Sequence, residues 1–157
     1  MSIIKLDIDY IKTQKQIFAE IRKLHFRLFW INHEYFLNFP CSILIFKTGK
    51  GLHIYISVDK DISAMQLCFL QAVLGSDWLR ELRNNSRIRE HFKDWNILFQ
   101  EKYSKGKLQS KEKFLVEYSF AGEIFSSNKN TYLFDLIKRQ IRQNLKKIKN
   151  DKNGKKI

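Results

Sequence analysis

Apolar and charged residues alternate from Ile4 to Asp9, and a two-residue period marks a strand with one buried face. Asp7 and Asp9 then share its other side. Thr13 to Leu24 follows a helical period, with Ile17, Ile21 and Leu24 on one face. His25 to Phe39 is so rich in aromatic residues that its period fits either a continued helix or a buried strand and turn. The clearest local pattern is the pair of strand-like runs Cys41–Phe46 and Leu52–Val58 around Lys47-Thr48-Gly49-Lys50-Gly51, which predicts a β-hairpin over residues 41–58. Ile62 to Leu74 reads as a helix with Ser63 as its cap. Gly75 breaks it, and Ser76 opens a second helix through Trp78, Leu79 and Leu82.

Further along, Trp95–Phe99 predicts a strand, and the lysine-rich stretch Glu101–Lys113 an exposed hairpin tip or loop. Phe114–Phe120 predicts another strand. Thr131–Ile148 predicts a helix with a stripe of Leu133, Ile137, Ile141, Leu145 and Ile148. Together these elements describe an α+β fold, a small antiparallel sheet packed against several helices. A single domain is expected over 1–148, with a flexible basic tail over 149–157.

Composition supports a real core: the 157 residues are 44% hydrophobic, with 13 Phe, 6 Tyr and 3 Trp. Cys41 and Cys68 sit among apolar neighbours, so buried free thiols and a reducing, intracellular setting are expected rather than a disulfide framework. No signal peptide is expected from Met1–Asp9, and no apolar run approaches the roughly 20 residues of a membrane span.

Charge adds the strongest functional hint. The net charge is +13, and Lys138–Ile157 holds nine Lys or Arg against one acid. Such a segment lies naturally against a polyanion, because displaced counterions favour the contact. Lys138, Arg139, Arg142, Lys146 and Lys147 are therefore candidate DNA contacts. So are Lys47 and Lys50 in the hairpin turn, which lacks the spacing of a phosphate-binding Walker loop.

Two constellations are candidates for chemistry. Asp7, Asp9 and His53 fit a divalent-metal set, Mg2+ being the expected ion, if the hairpin pairs beside the first strand. The plainer account is a solvent-facing edge strand and a sheet-surface histidine. The second constellation is Asp77, Glu81 and Glu90 among Arg80, Arg83, Arg87 and Arg89. Carboxylates set among cations suit phosphodiester hydrolysis, the cations holding the backbone and a carboxylate acting as base, with His53 as an auxiliary acid or ligand. The plainer account is a row of helix-surface ion pairs. The aromatic stretch Phe26–Phe39 suits core packing or a dimer interface better than base stacking.

The segments Lys47–Ile56, Leu74–Glu81, Asn85–Ile88 and Trp95–Phe99 together resemble small proteins of filamentous viruses of hyperthermophilic crenarchaea, of the lipothrixvirus and rudivirus type. The resemblance spans about residues 40–120. It implies a nuclease acting on linear double-stranded DNA through a glutamate, to which Glu81 and Glu90 both correspond. It also implies residence in the cytoplasm of an infected archaeal host or in the virion. A looser likeness, of Leu6-Asp7-Ile8-Asp9 and Gly51-Leu52-His53, is to archaeo-eukaryotic primases, although Gly51 replaces their motif serine and the chain is short for a polymerase. The expected function is thus DNA hydrolysis. The alternatives are a viral DNA-binding or packaging protein without activity, or a primase-like replication accessory factor. A homodimer would match the pseudo-symmetry of duplex DNA.

Overall fold

The computed structural model describes residues 1–35, 37–96, 98, 101–104, 106–122 and 131–153. The chain runs β1 (Ser2–Ile8), α1 (Gln14–Tyr35), β2 (Cys41–Lys47), β3 (Leu52–Val58), α2 (Ala64–Val73), α3 (Trp78–Arg89), β4 (Glu101–Ser104), β5 (Lys107–Lys111), β6 (Lys113–Phe120) and α4 (Thr131–Asn153). The α+β class expected from the sequence is the one observed. Four strands form an antiparallel sheet in the order β1-β3-β2-β6, and β4-β5 is a separate two-stranded ribbon.

The period of two sorts each strand into a core face and an outer face. Ile4, Leu6 and Ile8 of β1, Ile43 and Ile45 of β2, Leu52, Ile54, Ile56 and Val58 of β3, and Val116 and Phe120 of β6 are all buried. Against them pack Ile17, Ile21, Leu24 and Leu28 of α1 and Phe134, Ile137 and Ile141 of α4. Phe18 and Phe134 meet edge to face at 6.3 Å, which ties the two helices together. His25 of α1 reaches the same face, its Nε2 lying 2.6 Å from the Tyr118 hydroxyl.

The hairpin of β2 and β3 and the strand at β6 appear as expected. α2 begins at the expected cap, where Ser63 and Gln66 form a reciprocal capping box. One open alternative is decided, and three expectations differ. The aromatic stretch continues α1 as far as Tyr35. Ser76 is not the cap of α3. Asp77 is, accepting from the Arg80 amide at 2.9 Å. Trp95, Asn96 and Leu98 are not in a strand, and Ile97 and Phe99 lie outside the described residues. Finally, α4 continues through Asn153, so much of the expected tail is helical, while 154–157 lie outside the described residues.

The α2–α3 pair seals the outer edge of β1. Lys5 and Asp7 direct their backbone groups away from β3, and each finds a partner. The Lys5 amide donates to Gln71 Oε1 at 3.1 Å and the Asp7 amide to Ser76 Oγ at 3.1 Å. Arg80 Nη1 donates to the Lys5 carbonyl at 2.9 Å, and the Asp77 amide to the Asp7 carbonyl at 2.7 Å. An open edge of this kind is a template for pairing with another chain, and here three side chains and the Asp77 amide close it.

Cys41 and Cys68 are both buried and form no disulfide. Among the described residues no helix is long and apolar enough to cross a membrane.

Candidate functional site

The outer face of the sheet carries the first cluster. Asp7 and His53 are register partners in the β1–β3 ladder, so their side chains rise on the same side. His53 Nε2 stands 3.5 Å from Asp7 Oδ1. Its Nδ1 makes a short hydrogen bond with Glu112, the residue between β5 and β6. Tyr55, two residues along β3, donates to the same Glu112 oxygen at 2.7 Å. Burial alone pushes the His53 pKa down, but the hydrogen bonds and charges of Asp7 and Glu112 outweigh it and raise the pKa. The two carboxylates thus favour the protonated ring, which makes the cluster an imidazolium unit below the raised pKa. His53 is buried, whereas the Asp7 side chain keeps 20% of its surface exposed. Asp7 is the part of the unit that meets solvent.

The structure thus brings Asp7 and His53 together, as the sequence suggested, and adds Glu112 and Tyr55, which it did not. Asp9 lies one residue beyond the end of β1, with its backbone against Gly51. Asp7 and Glu112 approach opposite nitrogens of one ring, so the three groups do not converge on a point. Among the described residues no group of three or more His, Cys, Asp or Glu is arranged to hold a metal ion.

The acids of α3 are placed differently from the surface pairs that their spacing suggests. Glu81 is 4% exposed. Its carboxylate accepts from Ser76 Oγ at 2.7 Å, Gln71 Nε2 at 2.8 Å, Asn84 Nδ2 at 3.0 Å and the Arg80 guanidinium. Arg80 is also inside, reaching Asn96 Oδ1 at 2.8 Å as well as the Lys5 carbonyl. This is an internal fastener joining α2, α3 and β1, with its oxygens already engaged. Asp77 is spent on its cap, and Glu90 closes the C-terminus of α3 at the surface. Arg83 and Arg89 are exposed, and Arg87 points to the Trp95 carbonyl at 3.5 Å.

The second cluster is a groove of about 410 Å³ between the first turn of α1 and the C-terminal half of α4. Lys12, Lys47, Arg142, Lys146 and Lys149 line it, with no Asp or Glu among the lining residues. α1 starts at a Thr13–Gln16 capping box, whose Thr13 Oγ1 accepts from the Gln16 amide at 3.2 Å and whose Gln16 Oε1 accepts from the Thr13 amide at 2.9 Å. Arg142, Lys146 and Lys149 recur at three- and four-residue spacing and so share one face of α4. Arg139 extends that face into an adjoining hollow with Arg142 and Lys146.

Lys47 is bound into this wall, not loose in the hairpin turn. Its Nζ donates to the carbonyls of Thr48, Ile11 and Gly51 at 2.9, 3.2 and 3.2 Å. Burial and the nearby charge of Lys152 lower its pKa, a sign that positive charge is crowded here. Lys50 and Lys147 are exposed, and Lys138 pairs with Asp135 at 2.8 Å while lying over the Phe134 ring.

Both clusters sit at one end of the sheet. Lys47 faces Leu52 in the β2–β3 ladder, and the next pair along is Phe46 with His53. The groove lies on the helix side and the imidazolium unit on the outer side, about one strand residue apart along the chain direction. Comparison with protein-family models, with curated proteins and with solved structures gives no significant match, so the groove and the imidazolium unit are themselves the basis for a functional reading.

Proposed function

We infer that the protein binds nucleic acid by its phosphate backbone, double-stranded DNA first of all, in the groove between α1 and α4. The observation that carries this reading is a lining of five cations, with no Asp or Glu among the described lining residues, in a chain of net charge +13. Cations held together repel one another, with Asp135 in the adjoining hollow offsetting part of the charge of Arg142, and a phosphate chain relieves that repulsion while releasing its own counterions. The cations of α4 stand on a packed helix, so little backbone freedom is lost on contact.

The test is fluorescence anisotropy of a labelled duplex titrated with protein at several salt concentrations. Wild type should bind with a steep inverse salt dependence, and Arg142→Ala with Lys146→Ala should weaken binding and flatten the slope. Binding that ignores salt, or that the double substitution leaves intact, sinks the reading.

A second reading, phosphodiester hydrolysis, is favoured by the Asp7–His53–Glu112 unit. A carboxylate backed by an imidazolium and partly open to water can position and polarise a water molecule, and the imidazolium can offset charge developing on phosphorus oxygens. Linear and circular duplexes incubated with magnesium or with EDTA, beside Asp7→Asn, Glu112→Gln and Glu90→Ala, test it. Loss of cleavage in Asp7→Asn and Glu112→Gln supports the unit, and loss in Glu90→Ala moves the chemistry to the end of α3. Binding without any cleavage leaves the packaging or accessory role.

A further inference from the structure

The outward side of α1 carries Lys15, Ala19, Arg22, Phe26, Trp30 and His33, all exposed. At about 100° per residue these six fall within about 40° of the line through Phe26. The buried residues Ile17, Ile21, Leu24 and Leu28 project to the far side of the helix. Phe26 is 53% exposed and Trp30 55% exposed. Their rings meet at 6.1 Å, and Phe29 braces Trp30 edge to face at 5.7 Å and His33 at 5.5 Å. Folding gains nothing from turning two large rings away from the core.

The charge on this face says what the rings are for. Along the stripe every formal charge is positive, Lys15 standing exposed and Arg22 lying over the Phe134 ring of α4. Glu20 and Glu34, the two acids of α1, lie about 120° and 80° around the helix from Phe26. Glu20 is moreover paired with Lys23 at 2.8 Å. A second copy of the chain would present the same cations and the same +13 charge, so repulsion opposes self-association here. A polyanion with flat apolar faces suits the stripe, and that is single-stranded nucleic acid: cations follow its backbone while unpaired bases stack on aromatic rings.

We propose that the outer face of α1 is a binding platform for single-stranded nucleic acid, with bases stacking on Phe26 and Trp30. Duplex DNA keeps its bases inside, so the platform is selective for strands already open. Gln14 lines the groove, and Phe26 lies about 18 Å further along α1 and about 120° around it, so platform and groove are separate surfaces.

The test is titration of the protein with oligo(dT) of about 15 nucleotides, followed by tryptophan fluorescence and by anisotropy of a labelled strand. Wild type should show quenching that Trp30→Ala removes, together with about a tenfold loss of affinity. Trp30→Phe should keep most of the affinity, and Phe26→Ala should add to the loss. Duplex binding should be unchanged in all three variants, whose altered side chains are solvent-exposed. Oligo(dT) affinity equal in wild type and Trp30→Ala overturns the proposal. So does a wild-type dimer in sedimentation that Trp30→Ala dissociates, since the rings would then be covered by a second copy. The groove reading is separately exposed: if duplex binding is absent while oligo(dT) binding depends on Trp30, that reading fails and the platform stands.

Discussion

His53 Nε2 stands 3.5 Å from Asp7 Oδ1 across the β1–β3 ladder, while Glu112 closes on the opposite nitrogen of the same ring. The arrangement makes stability depend on pH in a definite direction. The His53 pKa is raised in the folded protein, so its contribution is complete below the ordinary histidine value of about 6.5 and is lost as pH rises through the raised value. Above about pH 7.5, where the opposing gain from His25, held neutral by burial with a pKa of about 3, is complete, thermal unfolding should show stability falling toward about pH 9. The decline should be much smaller in Glu112→Gln and absent in His53→Gln. A full decline in both variants would assign it to other groups.

Glu81 should behave as a structural carboxylate. Removing a buried, multiply bonded charge strands its partners, here Arg80, Gln71, Asn84 and Ser76, so Glu81→Ala should cost about 3–5 kcal/mol. Denaturant unfolding measures it. A loss below about 1 kcal/mol would return Glu81 to the surface role its spacing suggests.

Two lysines of the groove should separate cleanly. Lys149→Gln should reduce the salt slope of DNA binding by about 0.9, the value of one phosphate contact, with the melting temperature unchanged. Lys47→Met should instead lower stability by about 2 kcal/mol, after allowing for solvent screening, because its three carbonyl contacts hold the hairpin turn against the chain after β1. Equal slope losses with no loss of stability would show Lys47 to be an ordinary surface cation.

Gly51 is fixed by proximity. A Cβ there would lie 1.8 Å from the Ile8 carbonyl oxygen, a backbone atom with no flexible end to move aside. Gly51→Ala should therefore cost about 3 kcal/mol, the upper end for overpacking, and displace the turn that carries Lys47. Full stability in the variant, measured by denaturant unfolding, would contradict that close approach.

The sequence was legible where one local rule decides. Alternation and a glycine-bearing turn predicted the 41–58 hairpin, and Ser63 as a cap predicted the start of α2. It was less legible where aromatic residues surround a helix: α1 beyond Leu24 has apolar residues on both its buried and its open faces, so its period is blurred. Asp77 and Glu81 matched a surface pair, because polarity patterns do not distinguish a solvated face from a buried polar network. Asp7 and His53 could be anticipated from strand pairing. Glu112 could not, since it reaches His53 across 59 positions from within a lysine-rich segment that reads as loop.

The sealed outer edge of β1 has a consequence for solvent exchange. Peripheral strands ordinarily trade their outward amide protons with water quickly, because those donors face solvent. In this protein the Lys5 and Asp7 amides donate to Gln71 and Ser76, whose positions depend on the Glu81 network. Their deuterium uptake should be as slow as that of the central strands, and it should accelerate together with that of α2 and α3 when Glu81 is replaced. The sheet border is thus cooperative with the helical pair beside it, and the two should open to water as one unit.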